Sequence, residues 1–194
     1  FYIKMKRLVV ITGASRGIGS SLALETNKRF KPESTIYLLI ARDLQKLNRT
    51  KEQMIRFNQI NHRQIYLLNI DFSSDFKVDD LFNRISNVFS NEFDLKQISE
   101  LYVFYNHGTL LLGKVDQIAD EVANQFQINV INVWKFMNAI LKLFPIEKFP
   151  TQFHVNMSTL LANRVEKQFS SYNATRSARA TLFKSLACEY SNLR

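Results

Sequence analysis

A chain of 194 residues with 46% hydrophobic side chains is long enough for one sizeable core and too short for two full domains. Its formal charge of +9 comes from lysines and arginines spread along the chain without a basic block or an aromatic recognition signature, which argues against nucleic acid and suits a small anionic ligand. Cys188 is the only cysteine, which rules out an internal disulfide framework and fits a reducing cytoplasm. His62, His107 and His154 are too scattered for a metal site, and no apolar run approaches the roughly 20 residues that span a bilayer.

In chain order, "RLVVITGAS" predicts a strand meeting a glycine cluster, and "GIGSSLALETNKRF" a helix with Ile18, Leu22 and Leu24 on its apolar side. "STIYLLIAR" is the next strand, "LQKLNRTKEQMIRFNQI" the next helix, and "RQIYLLNIDFSS" a third strand ending in a polar loop. "VDDLFNRISNVF" predicts a helix, "ELYVFYNHG" a strand, "VANQFQINVINVWKFMNAILKLF" one long helix, "QFHVNMSTL" a strand and "SSYNATRSARATLFKSLACEYSN" a final long helix. Strands that alternate with helices imply a parallel sheet covered on both faces. Arg194 falls where a sixth strand is due, so the sequence is expected to be truncated at its C-terminus.

The glycines of "TGASRGIG" stand where the first strand turns into the first helix. There a backbone without side chains can turn tightly and come close to a ligand, while the helix N-terminus presents free N–H groups to a pyrophosphate. Gly13, Ser15, Arg16, Gly17, Ile18 and Gly19 are therefore candidate cofactor-binding residues. A dinucleotide without a 2′-phosphate is usually held by an acidic residue at the end of the second strand; Ala41 is expected at that position, followed by Arg42. With Arg16 in the loop, two guanidinium groups can converge on a 2′-phosphate, so NADP(H) is the expected cofactor. Asp43 is expected to cap the helix beginning at Leu44, and Asp71 is a candidate acceptor for the adenine amino group.

"TGASRGIG", "NIDFSS", "YNHG", "INVINVW", "VNMST" and "YNATR" occur in the order and spacing of the short-chain dehydrogenase/reductase family, which the chain resembles along essentially its whole length. The resemblance implies a Rossmann-like doubly wound parallel sheet with helices on both faces, and residues 1–194 forming one NADP(H)-binding domain that lacks the family's C-terminal strands and substrate segment. It also implies hydride transfer from NADPH to a carbonyl. "ITGASRGIGSSLAL", "STIYLLIARDLQKL" and "ATLFKSLACEYSNLR" are most similar to members that reduce a pterin side-chain ketone, which makes a pterin the expected substrate and a homodimer the expected assembly. Pairing would run through the two long helices, where Trp134, Met137, Leu182 and Phe183 are candidates either for the partner or for the chain's own sheet.

Carried onto this sequence, the family pattern makes Tyr172 the general acid, Thr159 or its neighbour Ser158 the hydroxyl that holds the carbonyl oxygen, and Asn129 a member of the proton relay. Asn106 and Gly108 belong to the turn beside the cofactor. The pattern's lysine, four residues after the tyrosine, is here Arg176. Residues four apart share a helix face, so this cation can stabilise the charge left on the phenol when its proton departs. A guanidinium stays protonated, is wider and reaches differently, which makes it a poor proton relay and an uncertain ribose clamp. His107 replaces a small residue and has no partner evident in the sequence, so it is expected to be a loop substitution and not an acid. These departures keep a second expectation open, a dinucleotide-binding homologue with little catalysis.

Overall fold

β-branched and apolar runs buried on both faces become strands, and the amphipathic runs between them become the helices that return the chain. The computed structural model describes residues 6–58, 60–89, 94–149 and 151–190. Its strands are β1 (Lys6–Thr12), β2 (Thr35–Ala41), β3 (Ile65–Asn69), β4 (Ile98–Tyr105) and β5 (Gln152–Asn156). The helices are α1 (Gly17–Arg29), α2 (Leu44–Asn58), α3 (Val78–Phe89), α4 (Ala119–Phe126), α5 (Asn132–Leu143) and α6 (Ser170–Glu189). All strand pairings are parallel, in the order β3-β2-β1-β4-β5. The chain builds outward from β1 in one direction and then crosses to β4 on the other side. That reversal opens a crevice at the carboxyl ends of β1 and β4, the place where such sheets bind ligands.

Successive strand residues point to opposite faces, so β1 to β4 each feed two cores. Leu8, Val10, Leu38, Ile40, Leu101 and Val103 pack with residues of α3, α5 and α6, among them Ile85, Phe136 and Leu186. Val9, Ile11, Tyr37 and Leu39 pack on the other face with Ala23 of α1 and Leu47 and Met54 of α2. The fold is thus the parallel sheet covered on both faces that the alternation implies, wound in the doubly wound, Rossmann-like order that the family resemblance implies.

Two expectations are corrected, and one open choice is resolved. The apolar side of α1 is not led by Ile18, which is 64% exposed; Gly19, Ala23, Thr26 and Asn27 are buried, and Leu22 and Leu24 only partly so. Small residues let this helix lie close to the sheet, which an apolar stripe read from Ile and Leu does not register. The long helix is interrupted: Gln127–Ile131 form a π turn between α4 and α5, with the Asn132 amide donating to the Gln127 carbonyl five residues back. Of the four residues weighed between a partner and this chain's own sheet, Met137 and Leu182 are buried in the core and Phe183 packs partly against it, whereas Trp134 is 58% exposed. No helix among the described residues is long and apolar enough to cross a membrane.

Candidate active site

The turn between β1 and α1 is built on two backbone conformations that side chains disfavour, with Gly13 at φ +67° and Gly17 at φ +56°. A Cβ on Gly19 would come within 2.2 Å of the Gly13 carbonyl oxygen, so Gly19 seats the helix against the turn. Nothing lies within 4 Å of where a Cβ of Gly17 would be, and Arg16 at the N-cap makes no side-chain cap bond. The first amides of α1 therefore face open space, and no acidic side chain stands in that first turn.

That space is a cleft of about 440 Å³. Gly13, Ser15, Arg16, Gly17 and Ile18 form one wall, Ala41 and Arg42 follow, and Asp71 closes the far side; Asn106, Gly108, Thr109 and Ile128 line the remainder. The exposure of Ile18 follows from its place on this wall. Asp43 does not enter the cleft: its Oδ1 accepts from the Lys46 amide at 2.9 Å and caps α2. Asp71 accepts from the Ser73 amide (3.0 Å) and hydroxyl (2.8 Å). The amide bond first, then the hydroxyl and the nearby Arg42 charge, hold its carboxyl below the ordinary carboxylate range.

The loop carrying Asp71 is pinned from a distance. Asn132, fully buried just after the π turn, donates through Nδ2 to the carbonyls of Phe72 (2.8 Å) and Ser74 (2.9 Å) and accepts from Gln127 Nε2 (2.9 Å). Three residues earlier, inside the π turn, Asn129 clamps the backbone of Thr109: its Oδ1 accepts from the Thr109 amide (2.8 Å) and its Nδ2 donates to the Thr109 carbonyl (2.9 Å). The same Nδ2 also donates to the Thr175 hydroxyl on α6 (3.2 Å). The side-chain amide of Asn129 is thus fully engaged in holding two segments.

Between these segments lies the turn of Asn106, His107 and Gly108. The Thr12 hydroxyl accepts from the amides of Asn106 (2.9 Å) and His107 (3.2 Å) and shares a 2.8 Å bond with His107 Nδ1. The His107 ring is stacked on Phe72, with centroids 3.6 Å apart. Burial, reinforced by the charges of Arg179 and Arg176, pushes its pKa well below the ordinary histidine range. The expectation that His107 has no partner is corrected: the fold brings Thr12 and Phe72 to it, and burial favours its neutral form.

Tyr172 and Arg176 lie one turn apart on α6; neither lines the cleft, nor do Ser158, Thr159 and Asn129, but the Arg176 guanidinium reaches Gly108, which does. Tyr172 is half-exposed, and its hydroxyl makes no hydrogen bond among the described residues. The Arg176 guanidinium does not sit on that hydroxyl; it lies over the ring, 4.8 Å from the centroid, as a cation–π contact. Arg176 is 8% exposed, its Nη1 donates to the Met157 carbonyl at 3.4 Å, and its Nε has no partner among the described residues. A Cβ on Gly108 would come within 2.5 Å of Arg176 Nη2, so the missing side chain at Gly108 makes room for the wider head group. Ser158 is exposed, and Thr159 is half-buried, its hydroxyl accepting from the Leu161 amide at 3.3 Å and keeping its own proton to donate.

Residues 7–194 match the model of the short chain dehydrogenase family. The chain belongs to that family. It is 28% identical to an uncharacterized oxidoreductase of Staphylococcus haemolyticus over 185 residues, which cover 94% of this chain and 71% of that protein. It is 29% identical to sepiapterin reductase of Rattus norvegicus over 191 residues, 95% of this chain and 70% of that enzyme. Among solved structures, a short chain dehydrogenase of Escherichia coli CFT073 complexed with NADPH superposes with a TM-score of 0.81 at 20% identity, covering 98% of this chain and 75% of that one.

Family membership makes the protein an oxidoreductase and accounts for the order of the cleft's walls. Sequence reasoning did not single out Thr12 and Asn132, which hold walls of the cleft, or Thr109, which lines it, although Thr12 and Asn132 stand inside "TGASRGIG" and "INVINVW". "INVINVW" carries two asparagines three apart, a spacing that puts both on one side of a helix; in an apolar run this is the one sequence signal that could have marked Asn132.

Proposed function

We propose that the protein is an NADPH-dependent carbonyl reductase that reduces the side-chain ketone of a pterin. The observation that carries this proposal is the unengaged hydroxyl of the partly exposed Tyr172, whose ring lies under a buried cation that reaches Gly108 on the wall of a cleft carrying two arginines. The cleft suits NADP(H): free helix-end amides would meet the pyrophosphate, and Arg16 with Arg42 would meet a 2′-phosphate. Bound NADPH supplies the hydride that reduces the carbonyl carbon. Tyr172 gives its proton to the carbonyl oxygen, which Thr159 or Ser158 holds by a donated hydrogen bond. Arg176 stabilises the charge left on the phenol and has free N–H groups for the ribose hydroxyls of the cofactor. Asn129 acts by position, fixing the Thr109 backbone and α6 relative to each other.

The pterin assignment is supported by the likeness to rat sepiapterin reductase. A cytoplasmic homodimer forming through α5 and α6, with Trp134 at its surface, completes the proposal; residues 1–194 would then be its NADP(H)-binding domain. The test is loss of NADPH absorbance when purified protein meets sepiapterin or a simple vicinal diketone. Consumption of NADPH with the pterin supports the proposal, and NADPH binding without reduction of either compound overturns it.

One observation favours a second possibility, a dinucleotide-binding protein with weak catalysis. Arg176 lies on the tyrosine ring and not on its hydroxyl, and most of its donors are idle. A large gain in turnover on Arg176→Lys would favour that alternative.

A further inference from the structure

Two turns beyond Tyr172 on the inward side of α6 stands Arg179, which is 0% exposed. Its guanidinium makes three hydrogen bonds: Nε donates to Asn156 Oδ1 (2.7 Å), Nη1 to the His107 carbonyl (2.8 Å) and Nη2 to the Tyr105 carbonyl. The Tyr105 carbonyl also accepts from the Met157 amide at 3.2 Å. No carboxylate pairs with Arg179 among the described residues. A buried charge without a counterion is costly, and it is tolerated here because carbonyl and amide oxygens satisfy its fork.

The position of those acceptors gives the arrangement its meaning. Tyr105 and His107 bracket Asn106 and lead to Gly108 on the cleft wall, while Asn156 and Met157 lead to Ser158 and Thr159. Arg179 therefore joins the end of β4, the end of β5 and the helix that carries Tyr172. Arg176 cannot do this, since its link to Met157 spans 3.4 Å and its remaining donors are idle. A lysine at 179 would place a single point charge where three acceptors in two chain segments need a planar fork.

We propose that Arg179 is a positioning residue of this site, locking the 105–108 turn and the 156–159 loop to α6 and so fixing Thr159 and the cleft wall relative to the Tyr172 hydroxyl. Burial first, and the Arg176 charge second, bring its pKa down to about 9, which still leaves it charged at neutral pH. Arg179 thus adds a second fixed positive charge on the Tyr172 side of α6.

The catalytic consequence rests on the carbonyl-reductase proposal, so the test carries a readout that does not. Arg179→Lys and Asn156→Ala would be compared with wild type for turnover, for KM, and for amide hydrogen exchange in segments 105–109 and 156–159. Exchange in both segments should speed up in Arg179→Lys, and in the second segment in Asn156→Ala. Because a displacement of about 1 Å can cost on the order of a hundredfold in rate, kcat should fall about tenfold or more in each variant, with the substrate KM within about threefold. A purely structural bond would lower the thermal midpoint and leave kcat and KM of the folded protein unchanged, which would overturn the proposal. If wild type reduces no carbonyl at all, the functional proposal fails by itself, and Arg179 is judged by exchange: unchanged protection in both segments overturns its role, and faster exchange supports it. If Arg179→Lys does not fold, Asn156→Ala decides alone, since it removes one of the three bonds and leaves the arginine in place.

Discussion

At the scale of single residues, Arg176 is where this chain departs most from the family pattern, and its surroundings show how a guanidinium fits. Gly108 gives it room, the Tyr172 ring takes its face, and its Nε is left for a ligand. If that cation serves the phenol, Arg176→Met should lower kcat by roughly a hundredfold, while Arg176→Lys, which keeps the charge, should stay within about tenfold of wild type. An unchanged kcat in the methionine variant would contradict this. Arg42 makes a separate prediction. A charge-assisted bond to a 2′-phosphate contributes roughly 1.5–3 kcal/mol, so Arg42→Ala should weaken NADPH binding by about tenfold or more and leave NADH unaffected, as titration calorimetry would show. Equal weakening of both cofactors would move Arg42 away from the phosphate. Arg16 and Arg42, which line the cleft, were expected there from their position and residue type, whereas Tyr172 and Arg176 were singled out by the family resemblance. His107 was legible only as a non-acid: that it would be a buried ring stacked on Phe72 depends on the fold bringing the loop after β3 beside the end of β4, which local pattern does not encode.

At the scale of elements, the sequence announced the five strands and the longer helices, with α4 and α5 read as one. It hid the π turn because one extra residue in a helix leaves composition unchanged. Its consequence is large, since Asn129 inside that turn and Asn132 just after it are both fully buried, one holding Thr109 and the other the loop after Asp71. Replacing Asn132 by Leu keeps the volume and strips the buried Phe72 carbonyl and the part-buried Ser74 carbonyl of their donor, which costs about 1–3 kcal/mol for the buried one and less for the other, which water can reach. Lower unfolding stability together with weaker NADPH binding is therefore expected, whereas a stability loss with unchanged cofactor affinity would mean that the loop does not depend on Asn132. The same limit applies to α1, where glycine, alanine and two polar residues form the buried side. Close approach to a sheet selects small residues, and hydrophobicity alone cannot show it.

At the scale of the whole molecule, the switch from β1 to β4 sets the location of the cleft; alternation in the sequence implied the parallel sheet and the glycines after β1 implied the site, whereas the strand order is set by long-range pairing that local pattern does not encode. Burial across the sheet also leaves a titration signature. His154 accepts from the Tyr105 hydroxyl or donates to it at 2.8 Å, and burial brings its pKa from 6.5 down to about 4. The unfolded chain takes up that proton near 6.5 and the folded one only near 4. The stability of the neutral ring is thus fully present above about pH 6.5 and is lost as pH falls towards 4, by roughly 3 kcal/mol. His107 adds to the same slope, and urea unfolding across this window should show His154→Gln flattening it by about one proton; an unchanged slope would contradict the burial argument. The central claim, that Tyr172 delivers the proton in an NADPH-dependent reduction, is tested most directly by single-turnover NADPH oxidation with sepiapterin in wild type and Tyr172→Phe, with the NADPH dissociation constant measured in both. Loss of the hydroxyl alone should slow oxidation by roughly a hundredfold or more and leave NADPH affinity within about threefold. Equal rates in the two proteins would contradict it.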